Sequence, residues 1–155
     1  MLNTTFLTQG NYPYTIEACP PWDDKPPYPT HTHGLYNLGL PEFIMDPLAF
    51  GGEGNAQRIN SAYDYLIDPK NTAHLAAILN SQTIKLTGKQ LSPKYMQNDP
   101  YVYCLREVPP HFEAIRQTYG SEVAYLVPPM RFIQIWVDGD DFALTDEYYR
   151  GGVKW

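Results

Sequence analysis

The sequence contains few cysteines, no basic runs and no long apolar stretches, and each scarcity excludes a class of protein. Cys19 and Cys104 are the only cysteines among 155 residues, too few for a secreted domain that depends on disulfides, although the two could pair. Lys and Arg residues are never adjacent and the net charge is −6, so a nucleic-acid partner is not expected. The apolar runs are too short for a bilayer span, and the polar start lacks the pattern of a signal peptide. We therefore expect a cytoplasmic protein without a membrane partner.

Apolar and aromatic side chains are what the chain has in quantity. Hydrophobic residues make up 43% and charged residues 18%, a composition typical of a chain that folds around a packed core. The length predicts a single domain over residues 1–155. Tyrosine is frequent, with 13 residues, and its ring and hydroxyl suit strands and pocket walls alike. The excess therefore fits either a β-rich domain or a ligand-binding one.

The predicted elements are short because proline and glycine interrupt the chain often. Apolar or alternating runs predict strands over residues 13–19, 30–40, 42–46, 81–91, 99–110 and 130–139. Gly34 and Gly39 indicate a bulge or a close backbone approach in the second strand, and Gly88 indicates a turn in the fourth. In the last strand, Ile133 and Ile135 face one side, whereas Gln134 and Trp136 face the other.

Helical spacing of apolar residues predicts three helices. The first follows a glycine-rich stretch, ends at Pro69 and carries the stripe Ile59, Ala62, Tyr63 and Leu66. The second starts at Asn71, a plausible N-cap, and the third covers residues 109–120. Together these elements predict an α+β fold with a mainly antiparallel sheet of about six strands and about three helices. A Pro-rich loop at 20–29 and a tail at 146–155 are candidates for the contact surface of a homo-oligomer.

His31 and His33 lie two residues apart on the second predicted strand, so their side chains face the same side. Such a pair could bind a divalent metal if further ligands came from elsewhere in the chain. The candidates for those ligands are His111, Glu113, Glu42 and Asp46. None of them lies at a sequence spacing from His31 and His33 that strengthens the case for a metal site. Two hydrogen-bonded strand histidines are therefore the favoured interpretation, and we assign no metal ligand and no cofactor.

Two further sites are suggested by residue type. The stretch "FGGEGNAQR" could hold an anion at a helix N-terminus beside Arg58, but Glu53 opposes this and a flexible connection is favoured. Tyr101, Tyr103 and Trp136 could form an aromatic wall with polar tips if their strands are neighbours, and ordinary core packing explains them equally well. The predicted ligand-binding residues are thus His31, His33, Arg58, Tyr101, Tyr103, Gln134 and Trp136.

Residues 11–45, "NYPYTIEACPPWDDKPPYPTHTHGLYNLGLPEFIM", resemble the opening of the bacterial and phage family called domain of unknown function 4262. The matching runs are 31–35 and 39–42, and the end of the chain matches through Gln134, Trp136, Asp138 and Phe142. The chain departs from the family where His31 and His33 replace a tyrosine and an isoleucine, and where Gly-Leu-Pro-Glu replaces Gly-His-Pro-Glu. The resemblance implies a compact α+β domain. It implies no catalytic residues, and it weakens the metal interpretation.

Three functions remain open. The favoured one is a non-catalytic protein that binds a small polar or nucleotide-like ligand or a protein partner, because no complete catalytic constellation occurs in the sequence. No Gly-x-Ser-x-Gly motif is present, and Cys104 would be reactive only if exposed. A metal-assisted hydrolase built on His31 and His33 is the second. The third is a phage or mobile-element protein that antagonises a host factor.

Overall fold

The computed structural model describes residues 5–7, 12–18, 29–46, 49–108 and 131–140. The strands in these ranges are β1 (Thr5–Leu7), β2 (Thr15–Ala18), β3 (Thr30–His33), β4 (Glu42–Met45), β5 (Ile84–Thr87), β6 (Val102–Val108) and β7 (Phe132–Val137). The α-helices in the same ranges are α1 (Gly51–Ile67), α2 (Thr72–Leu79) and α3 (Gly88–Leu91). Two 3-10 turns cover Leu35–Leu38 and Pro69–Asn71.

The seven described strands form one mixed sheet in the order β1-β2-β3-β4-β7-β6-β5. Every described pair is antiparallel except β4 with β7, which run parallel. The predicted α+β fold with a mainly antiparallel sheet is confirmed. The structure adds β1, a three-residue strand that the sequence did not predict because its surroundings are polar.

The hydrophobic core lies between one face of the sheet and the helices α1 to α3. Its sheet side includes Ile16, Phe43, Met45, Tyr103, Leu105, Ile133 and Ile135, and its helix side includes Ala56, Ile59, Ala62, Leu66, Ile78 and Leu91. The predicted alternation of β7 is confirmed, since Ile133 and Ile135 belong to this core. The apolar stripe predicted for α1 is confirmed as well, with Tyr63 at its partly buried edge.

Several tyrosines pack between β2 and α1. The rings of Tyr12, Tyr14 and Tyr63 lie 5.1 to 5.7 Å apart between centroids. The hydroxyl of Tyr14 donates to Asn60 Oδ1 at 2.6 Å, and that of Tyr12 donates to Asp64 Oδ2 at 2.7 Å. Burial first, and then the hydrogen bond to Asp64, raises the pKa of Tyr12 to about 12. Part of the tyrosine excess is therefore structural.

The second strand is shorter than predicted. β3 ends at His33 instead of extending to residue 40, and a 3-10 turn follows it. Gly34 begins that turn with φ 129° so close to β2 that a Cβ atom would lie 3.0 Å from the carbonyl oxygen of Pro13. The close approach suggested for Gly34 is thus present, whereas Gly39, with φ 73°, ends the turn as its C-cap.

Two stretches that contain glycine are helical where the sequence predicted a loop and a hairpin turn. Gly51 to Gly54 form the first turn of α1 instead of preceding it, and a Cβ atom at Gly54 would lie 2.7 Å from that of Phe50. Gly88 begins α3 instead of a hairpin turn, because Thr87 and Gln90 form a capping box there.

Other predicted segments fall in parts of the chain that are not described. The helix predicted at 109–120, most of the loop at 20–29 and the tail at 146–155 lie outside the described ranges. Asn71 holds the N-cap position of α2 without a side-chain bond to that helix. Its side chain donates instead to the carbonyl oxygen of Tyr65 at 2.9 Å, in the last turn of α1. In the described ranges, no helix is both long and apolar enough to cross a membrane.

A buried carboxylate explains why β3 gives way to the 3-10 turn. Glu42 is 1% exposed, and its Oε1 accepts hydrogen bonds from Thr32 Oγ1 at 2.8 Å and from the backbone N–H of Leu35 at 3.1 Å. Its Oε2 accepts from the backbone N–H of Tyr36 at 2.8 Å. One side chain thus satisfies the first N–H groups of the turn and joins it to β4.

We predict that Glu42→Ala lowers the free energy of unfolding by about 2–4 kcal/mol, because three donors lose their acceptor in the interior. Urea unfolding followed by circular dichroism measures the loss. Gln57→Ala, at an exposed position of α1, serves as the control and should change stability by less than about 0.5 kcal/mol. Equal stability of the two variants would contradict the role given to Glu42.

Candidate functional site

The sheet separates the predicted site residues into two groups. Arg58, Tyr101 and Tyr103 meet on the helix-covered side, whereas His31, Gln134 and Trp136 point to the opposite face. In the register of β6 and β7, Tyr103 lies opposite Val137 and Trp136 lies opposite Cys104. Since successive residues alternate between faces, Tyr103 and Trp136 cannot share one. The predicted aromatic wall is therefore not formed.

Arg58 is held firmly on the helix side. Its Nε donates to the hydroxyl of Tyr103 at 3.0 Å, its Nη2 to Asp99 Oδ2 at 3.1 Å and its Nη1 to the carbonyl oxygen of Gly54 at 3.0 Å. Its guanidinium carbon lies 3.6 Å from the centroid of the Phe50 ring. The side chain predicted to hold an anion is thus engaged by groups of the protein itself.

Asp99 connects this cluster to Tyr101. Its Oδ2 accepts the hydroxyl proton of Tyr103 at 2.7 Å, and its Oδ1 accepts the backbone N–H of Tyr101 at 2.9 Å. Burial first, and then the hydrogen bond to Asp99, raises the pKa of Tyr103 well above its ordinary value, so the hydroxyl remains a donor. The Tyr101 ring is 43% exposed and meets the Phe50 ring edge to face, with 5.6 Å between centroids. Phe50 and Tyr101 therefore form a fixed aromatic pair.

An open groove of about 310 Å³ borders this aromatic pair. Its lining consists of Ala49, Phe50, Tyr101, Val137, Asp138, Gly139 and Asp140. The groove lies where the parallel strands β4 and β7 end and α1 begins. Its volume falls at the lower end of small-molecule pockets, roughly 300–1,000 Å³. The lining thus combines the aromatic residues Phe50 and Tyr101 with residues of the turn that follows β7.

The carboxylates of the groove lie on the turn that follows β7. Gly139 adopts φ 88°, and the N–H of Asp140 donates to the carbonyl oxygen of Val137 at 2.9 Å. Asp138 Oδ1 lies 3.2 Å from Lys85 Nζ, and the Cys104 thiol donates weakly to the same oxygen at 3.7 Å. Lys85, Cys104 and Trp136 are cross-strand neighbours on the face opposite the helices. Asp138 thus lies between the groove and that face.

On the face opposite the helices, one row of the register contains three buried polar residues, Glu17, His31 and Gln134. Ile44 lies between His31 and Gln134 in this row, and the exposed Arg106 ends it. His31 is 1% exposed, with its Nε2 3.2 Å from Glu17 Oε2 and its Nδ1 3.1 Å from the carbonyl oxygen of Thr32. His33 is exposed at the end of β3. Among the described residues, no three His, Cys, Asp or Glu side chains are grouped to hold a metal ion.

Gln134 lies in the middle of this row and is 0% exposed. Among the described residues, neither its Nε2 nor its Oε1 has a hydrogen-bond partner. An unsatisfied buried polar group costs about 1–3 kcal/mol relative to an apolar one of the same shape. The amide is therefore a net loss for folding.

We predict that Gln134→Met, which keeps the length of the side chain, raises the free energy of unfolding by about 1–2 kcal/mol. Gln90→Met provides a comparison of opposite sign, because the Gln90 amide oxygen accepts the N–H of Thr87 at 2.8 Å and completes a capping box. The free energy of unfolding of the Gln90→Met variant should fall by about 1 kcal/mol. Chemical denaturation measures the free energy of unfolding of both variants. A Gln134→Met variant that is less stable than the original protein would contradict the prediction, because it would show that the amide makes a stabilising hydrogen bond.

Cys104 is a buried free thiol, so it does not pair with Cys19. Burial first, and then the carboxylate of Asp138, raises the pKa of Cys104 to about 11. The folded state thus favours the protonated thiol. Stability from this group is present below the unfolded value of 9.0 and is lost as the pH rises towards about 11.

We predict slow alkylation of Cys104 in the folded protein. In a Cys19→Ser variant, iodoacetamide at pH near 9 should modify the native chain at least about tenfold more slowly than the urea-unfolded chain, because the thiolate is the reactive species. Mass spectrometry follows the reaction. Similar rates in the two states would mean that the thiol is accessible and ionised.

The sequence did not single out Phe50, Asp99, Asp138 and Asp140 as site residues. Phe50 and Asp138 are distant in the chain and approach only because β7 pairs with β4. The Asp99-Pro100 dipeptide before β6 could have pointed to Asp99. Asp side chains commonly accept a hydrogen bond from the backbone N–H two residues further on, as Asp99 does from Tyr101.

Comparison of the chain with protein-family models, with curated proteins and with solved structures finds no match. No relative therefore indicates a ligand for the groove. The resemblance to the domain of unknown function 4262 family stays a prediction.

Proposed function

We propose that the protein is a non-catalytic binding domain and that its ligand binds in the groove lined by Phe50, Tyr101, Asp138 and Asp140. The observation that carries this proposal is the aromatic pair of Phe50 and Tyr101, which borders an open groove of about 310 Å³. Asp99 fixes the backbone of Tyr101, and Arg58 covers one side of the Phe50 ring. Walls that are already ordered lose little conformational entropy when a ligand binds, so more of the contact energy contributes to affinity.

The charge of the groove narrows the ligand classes considered from the sequence. In the described part of the chain, the groove lining contains the acidic residue Asp138 and no basic residue, so it offers no cationic partner to a phosphate group. A small polar ligand without phosphate, or a side chain of a protein partner, fits this lining better than a nucleotide does. Its apolar part would contact the Tyr101 ring.

The hydrolase alternative has less support from the geometry. His31 is buried beside Glu17 while His33 is exposed, so the two imidazoles do not present a common surface to a substrate. Both also lie on β3, away from the groove at the ends of β4 and β7. A binding domain needs no such pair.

The proposal also covers where in the cell the protein is located and what it contacts. Acidic composition and the scarcity of cysteine support a cytoplasmic protein. Tyr36, Leu38 and Ile67 are about half exposed near the 3-10 turn and the end of α1, which favours contact with a protein partner or a second copy there. Antagonism of a host factor by a phage protein has support only from the family resemblance.

A thermal-shift panel of amines, amino acids, sugars and nucleosides tests the proposal. We expect at least one compound class to raise the melting temperature. Tyr101→Ala should weaken that binding about three- to tenfold, since an aromatic contact contributes about 0.5–1.5 kcal/mol. Tyr95→Ala, which removes another exposed ring outside the groove, serves as the control and should bind normally. No shift across the panel, or equal binding by both variants, would refute the proposal.

A further inference from the structure

We infer that the chain forms a symmetric dimer through the α2 surface, which consists of helix α2 together with Tyr36, Leu38 and Ile67. The occupant of this surface is thus a second copy of the chain. The inference makes specific the partner contact named in the proposed function, and it does not depend on the groove. Its observations are the exposed apolar side chains, the composition of α2, an apolar pocket and the charges at the edge.

Exposed apolar side chains are clustered on the α2 surface. In the described ranges six large apolar side chains are exposed, and three of them are here: Tyr36 at 48%, Leu38 at 56% and Ile67 at 49%. Tyr36 and Leu38 belong to the 3-10 turn, whose first residue, Leu35, lines the same apolar pocket as Ile67. The three side chains are therefore neighbours, an arrangement typical of an interaction site.

Helix α2 has an apolar composition that a solvent-exposed helix does not need. Six of its eight residues are Ala, Leu or Ile, and none is Asp, Glu, Lys or Arg. Ile78 is buried, whereas Leu75 and Leu79 are half-buried and Ala73 and Ala76 are exposed. A helix that is apolar on most sides is normally covered on most sides. The outer side of α2 therefore suits contact with another chain.

An apolar pocket of about 20 Å³ lies between α2, the end of α1 and the 3-10 turn. Its lining includes Leu40, Ile67 and Leu75. The pocket has room for about one methyl-sized group, and its apolar walls give a water molecule no hydrogen-bond partner. Because the exposed Leu38 and the pocket share one surface, two copies related by a two-fold axis can each place this leucine at the other's pocket.

The edge of the α2 surface carries one acidic and one basic residue directly after Ile67. Lys70 Nζ lies 3.8 Å from Asp68 Oδ2, and the two side chains are 85% and 37% exposed. The net charge of the chain is −6, so two copies repel each other as a whole. At this edge a two-fold axis lets the lysine of each copy pair with the aspartate of the other. Charge complementarity therefore favours a second copy as the occupant.

The α2 surface is already ordered in the single chain. The Tyr65 hydroxyl lies 2.6 Å from His74 Nδ1, and the two rings stack with 5.7 Å between centroids. Asn71 donates to the carbonyl oxygen of Tyr65 at 2.9 Å. These contacts attach the start of α2 to α1. Little conformational entropy is therefore lost when a second copy binds.

Sedimentation velocity of the full chain over a range of concentrations tests the inference. We expect a dimer with a Kd of about 10–100 µM, because the exposed apolar side chains supply only part of the roughly 800 Å² that each partner buries in a stable interface. Leu38→Asp and Ile67→Asp should each raise the Kd at least about tenfold. Tyr95→Asp makes the same charge change at a ring that is 67% exposed outside the α2 surface, and should leave the Kd unchanged.

The charge pairing at the edge is tested separately. Lys70→Glu should raise the Kd about two- to tenfold, because both copies then present two carboxylates to each other. Lys89→Glu makes the same charge change at an exposed position of α3 and serves as the control. Because the Lys70 side chain is 85% exposed, this variant tests the surface even if an apolar variant does not fold, which circular dichroism checks.

A chain that stays monomeric up to about 1 mM would overturn the inference, and so would a dimer that Leu38→Asp, Ile67→Asp and Lys70→Glu leave intact. Assemblies that grow beyond the dimer with concentration would overturn the two-fold symmetry. The 17 residues of α1 separate this surface from the groove by about 25 Å. A monomeric chain whose thermal-shift ligands still depend on Tyr101 would therefore leave the binding proposal intact, whereas a dimer that binds no compound would leave only the dimer.

Discussion

The pairing of β7 with β4 on one side and with β6 on the other is the interaction on which the rest of the structure depends. Among the described strands, it alone joins β1 to β4 with β5 and β6 into one sheet. The pairing is long-range, so it pays a loop-closure cost that the backbone hydrogen bonds and the burial of Phe132, Ile133 and Ile135 must offset. It also places the end of β7 beside the start of α1, and the groove exists only because these two segments meet. The same strand, β7, therefore determines both the stability of the sheet and the formation of the groove.

The two faces of β7 use this central position differently. The face towards the helices is apolar and packs against α1 to α3, where each buried side chain contributes to stability. The opposite face carries the unsatisfied amide of Gln134 near the buried pair of His31 and Glu17. A buried polar pair is a weak source of stability, because removing both groups from water offsets their attraction. The same face also buries Ile44, Val108 and Phe132, so apolar burial stabilises both faces of the sheet, and the Gln134 amide adds a cost on one of them.

The sequence predicted elements whose signals are local and failed where a distant group decides the structure. The strict alternation of β7 and the apolar stripe of α1 were sufficient to assign both elements and their buried faces. The end of β3 could not be predicted, because it depends on the carboxylate of Glu42, which reaches back from the next strand. Of the site, Arg58 was chosen as an anion ligand and Tyr101 and Tyr103 as parts of an aromatic wall, and the three residues do lie together. Phe50 and Asp138 were not predicted as site residues, because only the sheet topology brings them to one groove.

Asp99 joins the groups beside the groove through its hydrogen bonds. Its carboxylate accepts hydrogen bonds from a side chain of α1, from the hydroxyl of Tyr103 on β6 and from the backbone of Tyr101. The space for it depends on Gly88, where a Cβ atom would lie 2.5 Å from that of Asp99. Arg58, which stacks on the Phe50 ring, is itself paired with Asp99. The two rings of the groove are therefore held by α1 and by the residues before β6, whereas Asp138 belongs to the turn after β7.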